Sequence, residues 1–195
     1  MKYCEKDLID QIGKMLSSRE RKVIHHPSLA RAAVLVPLFN KNGNCHLLFT
    51  KRTDLVKYHK GEISFPGGMV DEEDVSLEKT ALREAFEEIG LKEADVQLIG
   101  GLDDIVTTTQ FIVTPFVGLF PYPYPFETSS VEIAELIEVP LSFLLSGENC
   151  AEKEINWMGR KDLVYAYQYG KHTIWGATAR ILKQFLDLVH FQRKT

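Results

Sequence analysis

The sequence predicts an α/β fold in which a mixed β-sheet lies between helices. Three observations carry that expectation. Short apolar runs of strand length recur along the chain, three segments have helical spacing, and the two kinds alternate without a regular βαβ period. At 195 residues and 22.2 kDa the chain fits one domain with an ordinary core, so residues 1 to 195 are read as a single domain.

Residues 5 to about 18 place Leu8, Ile9, Ile12, Met15 and Leu16 at helical spacing, which predicts an amphipathic N-terminal helix. It packs on its own domain or mediates a homodimer; its pattern does not choose. Residues 19 to 27 are polar and read as a connection, with His25 and His26 on the surface. The runs 32 to 39 and 46 to 50 read as strands around a turn at Lys41-Asn42-Gly43-Asn44. A second pair is expected at 96 to 100 and 112 to 120, where Pro115 points to an edge or a bulge. Residues 121 to 130 (PYPYPFETSS) form a Pro-rich loop ordered by its aromatics. Residues 131 to 145 begin as a strand and end in a short helix, 162 to 169 form another strand, and 177 to 189 a last amphipathic helix.

Composition narrows the function. The 45% hydrophobic and 26% charged content is that of a soluble globular protein. No run of about 18 apolar residues occurs, and MKYCEKDLID has no signal-peptide core. A cytoplasmic protein with no membrane partner is therefore expected. The net charge of −4 argues against a nucleic-acid surface, so a small anionic substrate must be met by a local cluster of cations. Cys4, Cys45 and Cys150 are scattered, without C-x-x-C spacing, and read as idle thiols in a reducing compartment.

The chemistry concentrates between Phe65 and Leu91, FPGGMVDEEDVSLEKTALREAFEEIGL. It combines a Pro-Gly-Gly turn, an acidic loop and a helix with Ser76 as N-cap and Gly90 just past its end. At 100° per residue, Ala81, Leu82, Ala85, Phe86 and Ile89 share one arc. Glu84, Glu87 and Glu88 share the opposite one, beside Arg83. Carboxylates three and four residues apart repel by a few tenths of a kcal/mol per pair, so their concentration on one face points to a bound cation. Mg²⁺ takes such oxygen ligands and leaves positions for water and substrate phosphate. A bare E-x-x-E-E on a helix is more often a solvated acidic face, and the surrounding residues change that reading.

The order Gly-Gly, acidic loop, then R-E-x-x-E-E-x-G and Leu resembles the Nudix box, a metal-binding motif of hydrolases that cleave nucleoside diphosphates linked to another group. Arg83, Glu84, Glu87, Glu88, Gly90 and Leu91 fall on its positions. The resemblance implies an α/β/α sandwich, Mg²⁺ or Mn²⁺ as cofactor, and Glu84, Glu87 and Glu88 as metal ligands. Glu84 and Glu88, one turn apart, are the leading pair. Arg83 is expected to orient a neighbouring carboxylate, and the Gly67-Gly68 backbone to approach metal or phosphate closely. Asp74 lies six residues after Gly68 where the family pattern has a Glu, and eight residues instead of seven separate it from Arg83, so no metal role is carried onto Asp74.

Upstream, residues 47 to 68 (LLFTKRTDLVKYHKGEISFPGG) end a strand in a basic loop. On charge alone this is a solvated loop, or a set of cations meeting substrate phosphates. The stretch resembles the signature of the coenzyme A pyrophosphatase branch of the Nudix hydrolases, with Lys51, Arg52 and Lys57 as substrate-binding cations. Spacing is kept, with three departures: Phe49 for Leu, Thr53 for Ser or Ala, and Lys57 for Arg. The last keeps charge but loses the guanidinium fork. Similarity continues through 113 to 118, 131 to 141 and 174 to 182, so it spans about residues 28 to 190. Trp175, Ala177 and Thr178 are read as packing at the start of the last helix.

The implied reaction is metal-dependent hydrolysis of the diphosphate of coenzyme A or a derivative, giving 3′,5′-ADP and 4′-phosphopantetheine. The general base is expected outside the box, at Glu132 or Glu135. The alternatives are another nucleoside diphosphate derivative (NADH, ADP-ribose, a nucleotide sugar or a diadenosine polyphosphate) and a non-catalytic Nudix ligand sensor.

Overall fold

The computed structural model describes residues 6–56, 59–157 and 160–191. The N-terminal helix, α1, runs Lys6–Ser18, and the polar connection after it leads into β1, Ala30–Lys41. Asn42 and Gly43, both at positive φ (54° and 81°), turn the chain into β2, Asn44–Arg52, as an Asn-Gly hairpin turn requires. Two short strands follow, β3 at Ile63–Ser64 and β4 at Gly67–Met69, and then α2, Leu77–Ile89. Ser76 caps α2 by accepting the Lys79 N–H at 3.3 Å, and Gly90 ends it in the left-handed conformation at φ 70°.

The remaining strands of the main sheet are β5 (Gln97–Gly101), β6 (Ile105–Val106), β7 (Phe111–Leu119) and β8 (Ile133–Pro140). The order β3-β2-β1-β7-β5 forms its spine, with β8 on β2, β4 on β1 and β6 on β7. β1 and β7 run parallel and the other pairs among the described residues antiparallel, so the sheet is mixed. After the short α3, Leu141–Leu145, a three-stranded antiparallel sheet is built from β9 (Cys150–Trp157), β10 (Arg160–Tyr169) and β11 (His172–Trp175). The last helix, α4, spans Gly176–Phe191.

Core residues lie on both faces of the main sheet. One cluster joins Ile12 and Leu16 of α1 and Ala179, Leu182, Phe185 and Leu186 of α4 to Val36, Leu47 and Phe49. The other packs Ala81, Ala85 and Ile89 of α2 on Ala33, Leu35 and Leu48, and Tyr122, Tyr124 and Phe126 of the Pro-rich loop close it. The α/β/α layering thus holds. It also explains α1: Leu16 lies over Gly100, where a Cβ would come within 2.5 Å of it, so the helix packs on its own sheet.

Four expectations are corrected. Pro115 lies in an interior strand, opposite Val34 of β1. A residue's N–H and C=O leave a strand on the same side, and the Pro115 carbonyl accepts from Leu102 where the flank of β7 passes from β6 to β5. The missing N–H therefore falls at a gap in the ladder. Phe86, placed on the apolar arc, is 53% exposed, while Glu88 is buried. Trp175 ends β11 half exposed instead of packing. Of the thiols, Cys45 is disulfide-bonded and only Cys150 is free among the described residues. No helix among the described residues is long and apolar enough to cross a membrane.

Candidate active site

The site is assembled where β4, α2 and the C-terminal end of β2 meet. β4 pairs with β1 at Ala33–Gly68 and Val34–Gly67, which presses the Gly67-Gly68 backbone beneath α2. A Cβ on Gly67 would stand 2.4 Å from the Ala33 carbonyl oxygen. A Cβ on Gly68 would stand 2.5 Å from the Glu84 carboxylate. Only glycine lets the strand and that carboxylate share the space.

Arg83 organises the carboxylates around it. Its Nε and Nη2 donate to the two oxygens of Asp74 at 3.0 and 2.9 Å, a bidentate fork. Its Nη1 donates to Glu84 Oε1 at 2.9 Å and to Glu87 Oε2 at 3.1 Å, and Nη2 also to the Met69 carbonyl at 2.9 Å. These five bonds match the five N–H donors of a guanidinium, so none remains for a substrate phosphate. Asp74, to which the sequence assigned no metal role, is the anchor of Arg83, and it also accepts from Thr80 Oγ1 and the Asp71 N–H, each at 2.9 Å. The Arg83 guanidinium holds the Asp74 carboxyl well below the usual carboxylate range, and Asp74 in turn raises Arg83.

Glu88 stands apart. It is 3% exposed, its Oε1 lies 3.5 Å from Arg52 Nη1, and its Oε2 is buried with no hydrogen-bond partner. Burial pushes its carboxyl up to about 8, with Glu84 and Glu132 adding to the rise and Arg52 and the Gly67 amide opposing it. Burial also raises Glu84, against the pull of Arg83. An orphaned carboxylate oxygen beside a second destabilised carboxylate is a donor set that a hard divalent cation fits. Among the described residues no group of three or more His, Cys, Asp or Glu side chains is gathered closely enough to hold a metal ion; Arg83 draws Glu84 and Glu87 to itself instead.

The two candidate bases separate. Glu132 Oε2 lies 3.7 Å from Arg52 Nη2, so Arg52 bridges Glu132 and Glu88. Glu135 faces away: it is the register partner of Lys51, and it pairs with His172 Nε2 at 3.2 Å and Lys171 Nζ at 3.5 Å. Since successive strand residues point to opposite faces, Lys51 and Arg52 diverge likewise, and only Arg52 reaches the α2 carboxylates. Lys57 lies outside the described residues. His59 of the basic loop pairs with Glu62 at 2.8 Å. The Pro-rich loop expected at 121 to 130 is anchored by its rings, but the sequence did not disclose that it hangs from the end of α2, where Glu127 N–H bonds the Ile89 carbonyl at 3.2 Å and Ser129 N–H the Glu88 carbonyl at 2.9 Å.

Comparison with known proteins agrees with this geometry. The NUDIX domain profile matches residues 29–166. The chain is 39% identical over 158 residues to an "Uncharacterized Nudix hydrolase NudL" of Photorhabdus laumondii, covering 81% of this chain and 84% of the relative. A protein of the same description from Yersinia pseudotuberculosis is 38% identical over 159 residues, covering 82% and 79%. In fold the chain is similar to a MutT protein from Methanosarcina mazei, with TM-score 0.54 and 18% identity over 91% of this chain and 99% of that one. It is similar also to the NUDIX domain of Shewanella oneidensis NrtR, complexed with ADP ribose, with TM-score 0.52 and 14% identity over 88% and 94%.

Proposed function

The chain belongs to the Nudix family of hydrolases, which cleave phosphoanhydrides of nucleoside diphosphate derivatives with divalent metal, and we propose that its substrate is coenzyme A or a derivative. The observation that carries this reading is the 3.5 Å approach of Arg52 to Glu88. It brings the stretch 47 to 68, which resembles the coenzyme A-type signature, against a buried carboxylate of α2.

The residues then divide the work. Glu88 and Glu84 would hold the cation, Mg²⁺ or Mn²⁺, with Glu87 as a third ligand. When bound, the cation neutralises diphosphate charge and lowers the pKa of a coordinated water. Arg52 turns its fork from Glu88 and Glu132 toward a phosphate, while Lys51, beside Glu135 on the other face, takes no part in gripping it. Glu132 takes the proton of the attacking water as one P–O bond of the anhydride breaks. The products are 3′,5′-ADP and 4′-phosphopantetheine, and no covalent enzyme intermediate is needed. Glu132 is preferred over Glu135 as the base because Glu135 is paired with His172 and Lys171.

The test is product analysis on coenzyme A, NADH, ADP-ribose and diadenosine polyphosphates with Mg²⁺ or Mn²⁺, for wild type, Glu88→Gln, Glu132→Gln and Glu135→Gln. Release of 3′,5′-ADP from coenzyme A is expected. It disappears in Glu88→Gln, falls about 10²–10⁴-fold in Glu132→Gln, and persists in Glu135→Gln. Cleavage of another substrate but not coenzyme A overturns the substrate and keeps the chemistry. Hydrolysis of none, by protein that binds metal, replaces the enzyme with a ligand sensor.

A further inference from the structure

Glu132 is 47% exposed at its side chain, and among the described residues its ion pair is with Arg52 at 3.7 Å. Its direction is therefore set by its backbone, and that backbone is tied on two sides. On the α2 side the Glu132 and Ile133 N–H groups both donate to the Ser129 carbonyl, at 3.0 and 2.7 Å, and Ser129 hangs from the Glu88 carbonyl. On the β2 side the regular ladder fails. Lys51 faces Glu135 but Arg52 faces Ile133, an irregularity that leaves Ala134 as the extra residue of β8. Such bulges re-aim a side chain and weaken pairing beyond them.

Thr53 restores the pairing there. Its N–H donates to the Glu132 carbonyl at 2.8 Å, and its hydroxyl donates to the Val131 carbonyl at 2.5 Å. The same hydroxyl accepts the Leu55 N–H at 3.3 Å, so one oxygen ties the loop after β2 to the segment carrying Glu132. We propose that Thr53 is a positioning residue for the general base: its hydroxyl clamps Val131-Glu132 past the bulge and aims the Glu132 carboxylate at the water beside Glu88. The inference rests on Glu132 being the base, as set out above. An ordinary stitch within an exposed loop makes the opposite prediction, a small loss of stability with turnover unchanged.

Thr53→Val keeps the shape and removes the hydroxyl; Thr53→Ser keeps the hydroxyl. With whichever substrate of the panel above the wild type turns over fastest, Thr53→Val is expected to lower kcat about tenfold with KM little changed, and Thr53→Ser to restore it. In a Glu132→Gln background Thr53→Val is expected to cost nothing further, because the group it aims is already gone. Amide hydrogen exchange at residues 129–133, measured without metal or substrate, is expected to quicken in Thr53→Val and not in Thr53→Ser. Unchanged kcat, unchanged exchange, or an equal loss in both backgrounds overturns the proposal. If Glu132→Gln itself keeps wild-type kcat, the base assignment fails first and the role of Thr53 fails with it.

Discussion

Two buried carboxylates, Asp104 and Glu88, lie near arginines, and their surroundings differ completely. Asp104 receives Arg21 Nη1 and Thr114 Oγ1 at 2.7 Å, the Ile24 N–H at 2.9 Å and Arg31 Nη2 at 3.3 Å. Next to it, Asp103 takes Arg19 at 2.7 Å and the Lys22 N–H at 3.0 Å. Together they fasten the connection between α1 and β1 to the sheet. Glu88 receives one arginine at 3.5 Å and keeps an oxygen with no partner. A buried charge with all its bonds made holds the scaffold. One left short of bonds is poised for a ligand, and stability is the cost.

Removing Asp104 breaks the comparison most severely. Asp104→Ala leaves Arg21, Arg31, Thr114 and the Ile24 amide without their common acceptor, and about 3–5 kcal/mol is expected to be lost in urea denaturation. Turnover per folded molecule stays at the wild-type value, because no reacting group is touched. A large drop in kcat with unchanged stability would erase the distinction between the two carboxylates.

Glycine sharpens the contrast with smaller effects. Gly68→Ala forces a Cβ to within 2.5 Å of the Glu84 carboxylate, which must move. The expected result is a loss of about 10- to 100-fold in kcat with little change in unfolding free energy. Gly13, inside α1, has nothing within 4 Å of a built Cβ. Gly13→Ala is expected to stabilise by about 0.5–1 kcal/mol through helix propensity and leave kcat alone.

The same contrast explains what the sequence could disclose. The caps of α2, the β1–β2 turn and the arc of three carboxylates depend on neighbours within a few residues, so Ser76, Gly90, Asn42-Gly43 and Glu84/Glu87/Glu88 were legible. Burial of Glu88 was not. Helical spacing groups it with its two fellow glutamates, and Arg52, the Gly67 amide and the loop around Ser129 reach it by tertiary contact. Nothing local singles out the pair Asp103-Asp104, because its arginines lie 73 to 84 residues away. Strand β9 (CAEKEINW) was missed because charged residues interrupt its apolar pattern, and its pairing with β10 is what orders it. The irregularity after Lys51, where Arg52 faces Ile133, was also hidden, since no local pattern announces a bulge.

The most direct measurement is thermal unfolding of wild type and Glu88→Gln between pH 6 and 9, with and without Mn²⁺. In the folded protein the Glu88 carboxyl is raised from 4.5 to about 8. Its contribution is therefore complete below the unfolded value and is lost as pH rises through about 8. Metal-free wild type is expected to lose stability across that range, and Glu88→Gln to decline less and to exceed it at pH 9 by about 1–2 kcal/mol. Mn²⁺ is expected to raise the Tm of wild type and to leave Glu88→Gln almost unmoved. An equal Mn²⁺ shift in both proteins, or a metal-free Glu88→Gln less stable than wild type at pH 9, would contradict the assignment of Glu88 as the carboxylate held ready for the cation.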